Sequence, residues 1–118
     1  MNYKVNNIDI YINGELKQYN LLVGKNAKGN DEIIKIAKNE CKEHIWFHFD
    51  NLSGPHIILC TNGDIIDKKN IKEIAKLLFL YKSKAPKNTN VIYTEIKNVL
   101  LTKTIGMVNT NNIKTITF

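Results

Sequence analysis

The stretch from Ile8 to Val23, IDIYINGELKQYNLLV, constrains the fold most tightly. Ile8, Ile10 and Ile12 alternate with polar residues, and a strand's period of two places all three on one face. Asn13-Gly14 follows. Both residues tolerate the positive φ that tight turns between antiparallel strands demand. The pair therefore predicts a hairpin, with a return strand from Lys17 to Val23.

The rest of the chain alternates between helical and strand patterns. GKNAKGND, Gly24 to Asp31, is rich in turn residues and leads into a helix over about Asp31 to Glu40. Gly29 or Asn30 can cap it, Asp31 and Glu32 suit the positive end of its dipole, and Ile33, Ile34, Ile36 and Ala37 face inward. Strands are expected at Ile45 to Phe49 and His56 to Thr61, joined by the turn residues DNLSGP. A second helix starts near Asp67 to Asn70, where Asn70 and Glu73 are spaced as a capping box. Its apolar face is Ile71, Ile74, Ala75, Leu77, Leu78 and Tyr81, with Lys69, Lys72 and Lys76 on the other side. KSKAPKNTN, 82–90, makes a polar loop. Further strands fall at Val91 to Tyr93, Val99 to Leu101, Met107 to Val108, and around Ile113, Ile116 and Phe118 after a turn at Asn111-Asn112. The order is ββαββα followed by two or three strands. That predicts one α+β domain over 1–118, a mostly antiparallel or mixed sheet of about six strands with two helices covering one side.

Charge narrows the partners. The net charge is +6, and every basic residue is lysine. Such a surface attracts nucleic acid, an anionic membrane or an acidic protein. Lysine is a point charge without the bidentate fork that reads guanine edges, so a nucleic-acid binder built this way grips phosphate more than it reads sequence. Cys41 and Cys60 are too few for a disulfide framework and form no CxxC pair. Without a long apolar stretch near the N-terminus or a span of ~20 apolar residues, a cytoplasmic location and no membrane span are expected.

All three histidines lie in HIWFHFDNLSGPHIIL, His44 to Leu59. On a strand, His44, Trp46, His48 and Asp50 share one face, and Ile45, Phe47 and Phe49 take the other, toward the helix-covered core. His48, Asp50 and His56 offer three ligand types for zinc, but their spacing is not a familiar one, and no metal or other cofactor is expected. Cys60 beside a histidine would need an oxyanion hole that nothing in the sequence places. Two roles remain for this face. It is core and turn structure, or it binds, with aromatic and imidazole planes beside phosphate-holding lysines. GKNAKGND matches neither a Walker A motif nor GxGxxG. Its amides, a helix N-terminus, Lys25 and Lys28 can hold a phosphate, or the segment is a plain strand-to-helix connection.

Taken together, three segments resemble one family. VGKNAKGND resembles V-G-[RK]-N-x-x-x-N-D; HIWFHFDNLSGPHIIL resembles D-I-W-[FL]-H followed by [PS]-[GS]-x-H-[VI]; NVIYTEIKNVLL with GMVNTNNIKTITF resembles a V-x-Y-T, G-x-V, K-T-I tail. The family is the NFACT-R domain, the RNA-binding domain of ribosome quality-control proteins, also found in coiled-coil domain-containing protein 25. The resemblance covers nearly the whole chain. His44 replaces the usual acidic residue, Gly29 the usual glutamine, and Ser53-Gly54-Pro55-His56 the frequent Pro-Gly-Ser-His. Motif positions fall on Gly24, Lys25, Asn26, Asn30, Asp31, Trp46, His48, His56, Tyr93 and Thr94.

The resemblance implies a standalone, non-enzymatic RNA-binding module for tRNA or ribosomal RNA, linked to ribosome quality control. Its nucleic-acid-binding residues would be Lys25, Asn26, Lys28, Asn30, Asp31, Trp46, His48 and His56. The lysines hold phosphate, the asparagines fix the loop or bond the ligand, and Trp46 with the histidines forms or supports the adjacent surface. Competing readings are a protein-interaction adaptor on a translation complex, a DNA-binding protein, and a metal-dependent hydrolase.

Overall fold

The computed structural model describes residues 1–82 and 84–118. The expected polar loop 82–90 includes Ser83, which lies outside the described residues. Strand β1 is Tyr3–Ile12 and β2 is Glu15–Gly24. They pair antiparallel around Asn13 and Gly14, at φ 52° and 79°. Both turn residues are left-handed, as the Asn-Gly pair predicts. Then follow α1 Ala27–Glu40, β3 Ile45–Phe49, β4 Ile57–Cys60, α2 Lys68–Lys76 and the single turn α3 Leu78–Tyr81. The chain ends with β5 Val91–Glu95, a 3-10 turn Ile96–Asn98, β6 Val99–Leu101, β7 Val108–Thr110 and β8 Lys114–Ile116.

Six strands form one sheet in the order β1-β2-β4-β3-β5-β8, and every pairing is antiparallel. β6 and β7 make a separate hairpin. The radius of gyration is 13.2 Å, against about 13.5 Å for one compact domain of this length. The α+β class and the six-stranded sheet agree with expectation.

The helices do not share one side of the sheet. α1 joins β2 to β3 and crosses β4 on one face, where Ile33, Ile34 and Ala37 pack on Leu22, Trp46 and Ile58. α2 and α3 join β4 to β5 and cross β3 on the other face, where Ile71 and Ile74 of α2 and Leu78 of α3 pack with Phe47, Phe49, Ile57 and Leu59. The central strands are therefore buried on both faces, which turns alternation into continuous apolar runs such as IILC. His44 and Trp46, on the face opposite Phe47, are core residues at 0% and 1% exposure.

The start of α1 and the cap of α2 differ from the sequence expectation, while α2 begins within the expected Asp67 to Asn70. α1 begins a turn early because Asn26 caps it, its Oδ1 accepting from the Gly29 amide at 2.8 Å. α2 is capped by Asp67, which accepts from the Asn70 amide at 2.8 Å. Asn70 instead lies inside the helix and donates Nδ2–H to Tyr11 O at 3.1 Å. In each case the residue three before the bonded amide is the one whose side chain can reach it.

Candidate nucleic-acid interface

Three segments far apart in sequence meet at one end of the sheet. They are the β2–α1 junction, the β3–β4 turn and the turn before β7. Their meeting is built by the Asn-x-x-x-Asn-Asp spacing at the start of α1. Asn26 caps the helix and donates Nδ2–H to Asn2 Oδ1 at 3.1 Å. Asn30, buried at 6% exposure, accepts the His56 amide on its Oδ1 at 3.0 Å. Asp31 accepts the Gly106 amide on its Oδ1 at 3.1 Å. One helical turn thus holds the N-terminal strand and two distant turns.

The glycines follow from this crowding. A Cβ on Gly24 would run into the Asn30 carboxamide, and one on Gly29 into the Asn2 carbonyl. Gly106 sits at φ 83°, where a Cβ would also meet Ala27 Cβ at 2.6 Å. The Gly24 amide donates to His56 O at 3.0 Å, and the Lys25 amide to Asn2 O at 2.9 Å.

Between these segments lies a cleft of about 670 Å³. Lys4, Lys25 and Lys82 contribute its cations, His48, His56 and Tyr81 its rings, and Ile105 with Met107 its apolar rim. The Lys4 ammonium also lies 4.8 Å from the Tyr81 ring centre, a cation–π distance.

The imidazoles are neutral. Burial is the largest effect on His48, lowering its pKa against the Gly54 and Phe49 carbonyls and Asp50. Burial pushes His56 down to about 3, with His48 adding repulsion. Trp46 Nε1–H donates to His56 Nδ1 at 3.1 Å. In neutral His56 the remaining proton is thereby assigned to Nε2. The Trp46 ring stacks on His48 with centroids 5.8 Å apart, and His48 meets the His56 edge at 4.5 Å. Positive charge in the cleft comes from lysines, and the histidines offer neutral donors and faces.

The expected site residues separate into two sets. Lys25, Asn26, Asn30, His48 and His56 line the cleft. Trp46 is buried beneath it, so it positions the histidines and cannot be a stacking platform. Asp31 is occupied with Gly106 and does not line the cleft; Lys28 is exposed on the first turn of α1, outside it. The sequence alone places Lys28 in a loop because it misses the early helix start. Tyr93 and Thr94 line a separate hollow of about 560 Å³. Thr94 Oγ1 lies 3.1 Å from Asn112 O, holding the turn before β8, and Tyr93 stacks on Phe47 with centroids 5.8 Å apart. His48, Asp50 and His56 do not converge as a metal-ligand set among the described residues. Sequence reasoning misses Lys4, Tyr81 and Lys82, which no motif marks; Gly106 alone had a signal, in the G-x-V of the tail.

Fold and motif positions together define an antiparallel α+β domain with a lysine-lined cleft at one end of its sheet. The chain belongs to the NFACT protein RNA binding domain family, whose model matches residues 7–111. It is 36% identical over 77 residues to the Rqc2 homolog RqcH of Streptococcus suis, covering 64% of this chain and 13% of that protein. It is 34% identical over 95 residues to coiled-coil domain-containing protein 25 of Mus musculus, covering 75% of this chain and 43% of that one. The chain therefore spans less than half the length of either relative. Among solved structures, the C-terminal part of the fibronectin/fibrinogen-binding protein from Streptococcus suis superposes with a TM-score of 0.71 at 26% identity. That match covers 97% of this chain and 44% of the other. No helix among the described residues is long and apolar enough to cross a membrane.

Proposed function

We propose that this domain binds RNA without catalysing a reaction, holding phosphate in the cleft between the α1 N-terminus and the β3–β4 turn. The observation that carries this is the convergence of the first two motif segments and of Gly106-Met107 from the third on that cleft, with Lys4, Lys25 and Lys82 around it. Lys25 stands beside the exposed start of α1, whose free amides and dipole favour an anion. His56 Nε2–H and the His48 ring supply neutral contacts for a ribose or base. Asn26, Asn30 and Asp31 act through the cleft's shape, because their side chains are spent on Gly29, His56 and Gly106.

The ligand class is tRNA or ribosomal RNA, and the setting is ribosome quality control in the cytoplasm. Family membership and the likeness to an Rqc2 homolog support this reading. DNA is the nearest competitor, since lysine grips either backbone. An adaptor role is favoured by one feature, Ile105 and Met107 at 64% and 59% exposure on the cleft rim.

The test is a fluorescence-anisotropy titration of the full chain with total tRNA, an RNA hairpin and DNA of the same sequence. Saturable RNA binding that weakens with salt supports the proposal. Equal affinity for DNA moves the ligand class, and no RNA binding at low salt leaves the adaptor.

A further inference from the structure

We propose that Glu40, His44 and Cys60 form a binding site for a divalent ion of zinc's class. The site lies at the C-terminal end of α1, about 20 Å along the helix from the cleft, and is independent of RNA binding.

Three elements meet there. Glu40 ends α1, His44 precedes β3 and Cys60 ends β4. One carboxylate oxygen, one imidazole nitrogen and the thiol sulfur all lie within 4.8 Å of one another. The Glu40 carboxylate is 3.5 Å from His44 Nε2. Ligands around a tetrahedral zinc, at bonds of ~2.1 Å, sit about 3.4 Å apart. The glutamate–histidine edge is already at that length, and the sulfur needs to close by little more than an ångström.

A second observation points to a ligand. His44 is wholly buried, and its Nε2 is the one buried side-chain polar atom among the described residues that makes no hydrogen bond. The nearest acceptor is the Glu40 carboxylate at 3.5 Å, longer than an ordinary N–H···O bond, so it serves Nε2 only weakly. A native interior rarely leaves such an atom unserved. Its surroundings also favour a cation, because the carbonyl end of a helix carries partial negative charge.

Sulfur, nitrogen and carboxylate oxygen together suit zinc among the common ions. Three protein ligands leave the fourth position to water, and the Glu40 side chain, 53% exposed, marks the entry side. On binding, the thiol proton leaves to water as the sulfur–metal bond forms. The ring proton then moves to Nδ1, at the expense of the long 3.4 Å contact from the Asn62 amide. Asn62 is exposed at φ 54°, in a turn that can adjust. That rearrangement places the expected affinity below that of closed structural zinc sites.

The test is titration of the tag-free full chain with cobalt(II), followed by zinc. The expected result is one equivalent bound, with visible tetrahedral bands and a near-ultraviolet thiolate charge-transfer band. Zinc should displace the cobalt and raise the melting temperature. Glu40→Gln, an exposed change, should weaken cobalt binding by roughly 100-fold or more, beyond the cost of losing an outer-shell partner. Cys60→Ser should abolish the charge-transfer band, and Cys41→Ser should leave it intact. Absence of stoichiometric cobalt binding overturns the proposal. So does a charge-transfer band lost with Cys41 in place of Cys60. Should Cys60→Ser fail to fold, unchanged cobalt affinity in Glu40→Gln overturns it alone.

Discussion

The two faces of β3 are buried equally and built differently. On the α2 side, Phe47 and Phe49 pack among isoleucines and leucines, and Phe49 meets Phe79 edge-on with centroids 5.0 Å apart. That side is held by apolar contact, which is non-directional and tolerates repacking. On the α1 side, Trp46 shares its layer with buried His44, His56, Asn30 and Thr94. Each brings polar atoms that need a partner at a fixed angle. The α2 face therefore contributes mainly cohesion. The α1 face fixes positions, and the cleft opens where its polar layer reaches the rim.

The largest expected effect tests the cohesive face. Phe47 is fully buried, and Phe47→Ala should destabilise by ~3–5 kcal/mol. Denaturant melts measure the loss. RNA affinity per folded molecule should not change. A variant that stays folded but loses affinity would show that the α2 side also shapes the cleft.

Trp46→Phe asks the matching question of the other face. The ring volume is largely kept, but His56 Nδ1 loses its donor and becomes an unsatisfied buried acceptor, at a cost of ~1–3 kcal/mol. Here stability and affinity should fall together, because His56 and His48 lose the ring that seats them. Full affinity in a destabilised variant would reduce the α1 face to cohesion as well.

Acid should find the same asymmetry. His56 has its folded pKa depressed to about 3 from an ordinary 6.5. Its neutral form is accepted above the ordinary value without penalty. As pH falls below it, the unfolded chain takes up a proton that the folded one refuses, so stability drops until the folded pKa is reached. Between about pH 7.5 and about pH 5.5, His56 alone should cost about 1.4 kcal/mol. His44 and His48 are shifted in the same direction and add to it. Melting curves across that window check this, and a flat profile would mean that the histidines are hydrated in solution.

How much of this was legible from residues follows the same division. The hairpin was readable because Asn13-Gly14 encodes its own φ values locally. β3 was readable to the residue from IWFHF. The second covered face was not, because two-sided burial erases alternation, and only continuous runs such as LLV and IILC carried the signal. At the site, the motif marked Lys25, Asn30 and His56 correctly as a group that the fold brings together. It did not reveal that Asn30 and Asp31 clamp backbone amides, since a carboxamide that bonds a neighbour reads like one that bonds a ligand. Lys4 and Lys82 were invisible, because only the tertiary fold places strand β1 and the end of α3 beside the cleft.

The smallest effect on stability should carry the sharpest information on binding. Lys25 and Lys82 line the cleft, whereas Lys69 and Lys72 stand exposed on α2, on the opposite face of the sheet. Glutamine at either pair removes two charges from the same net total, so a difference between the pairs reports position and not overall charge. Each substitution should alter stability by less than about 0.5 kcal/mol, as at ordinary surface sites. If both cleft lysines neutralise phosphates of a single strand, the slope of log K against log salt should become shallower by roughly 1.4, about 0.7 for each. The α2 pair should change it less. Anisotropy titrations at several salt concentrations give both slopes. A shallower slope only in the α2 variant would move the RNA to the cohesive face and reverse the assignment of the two sides.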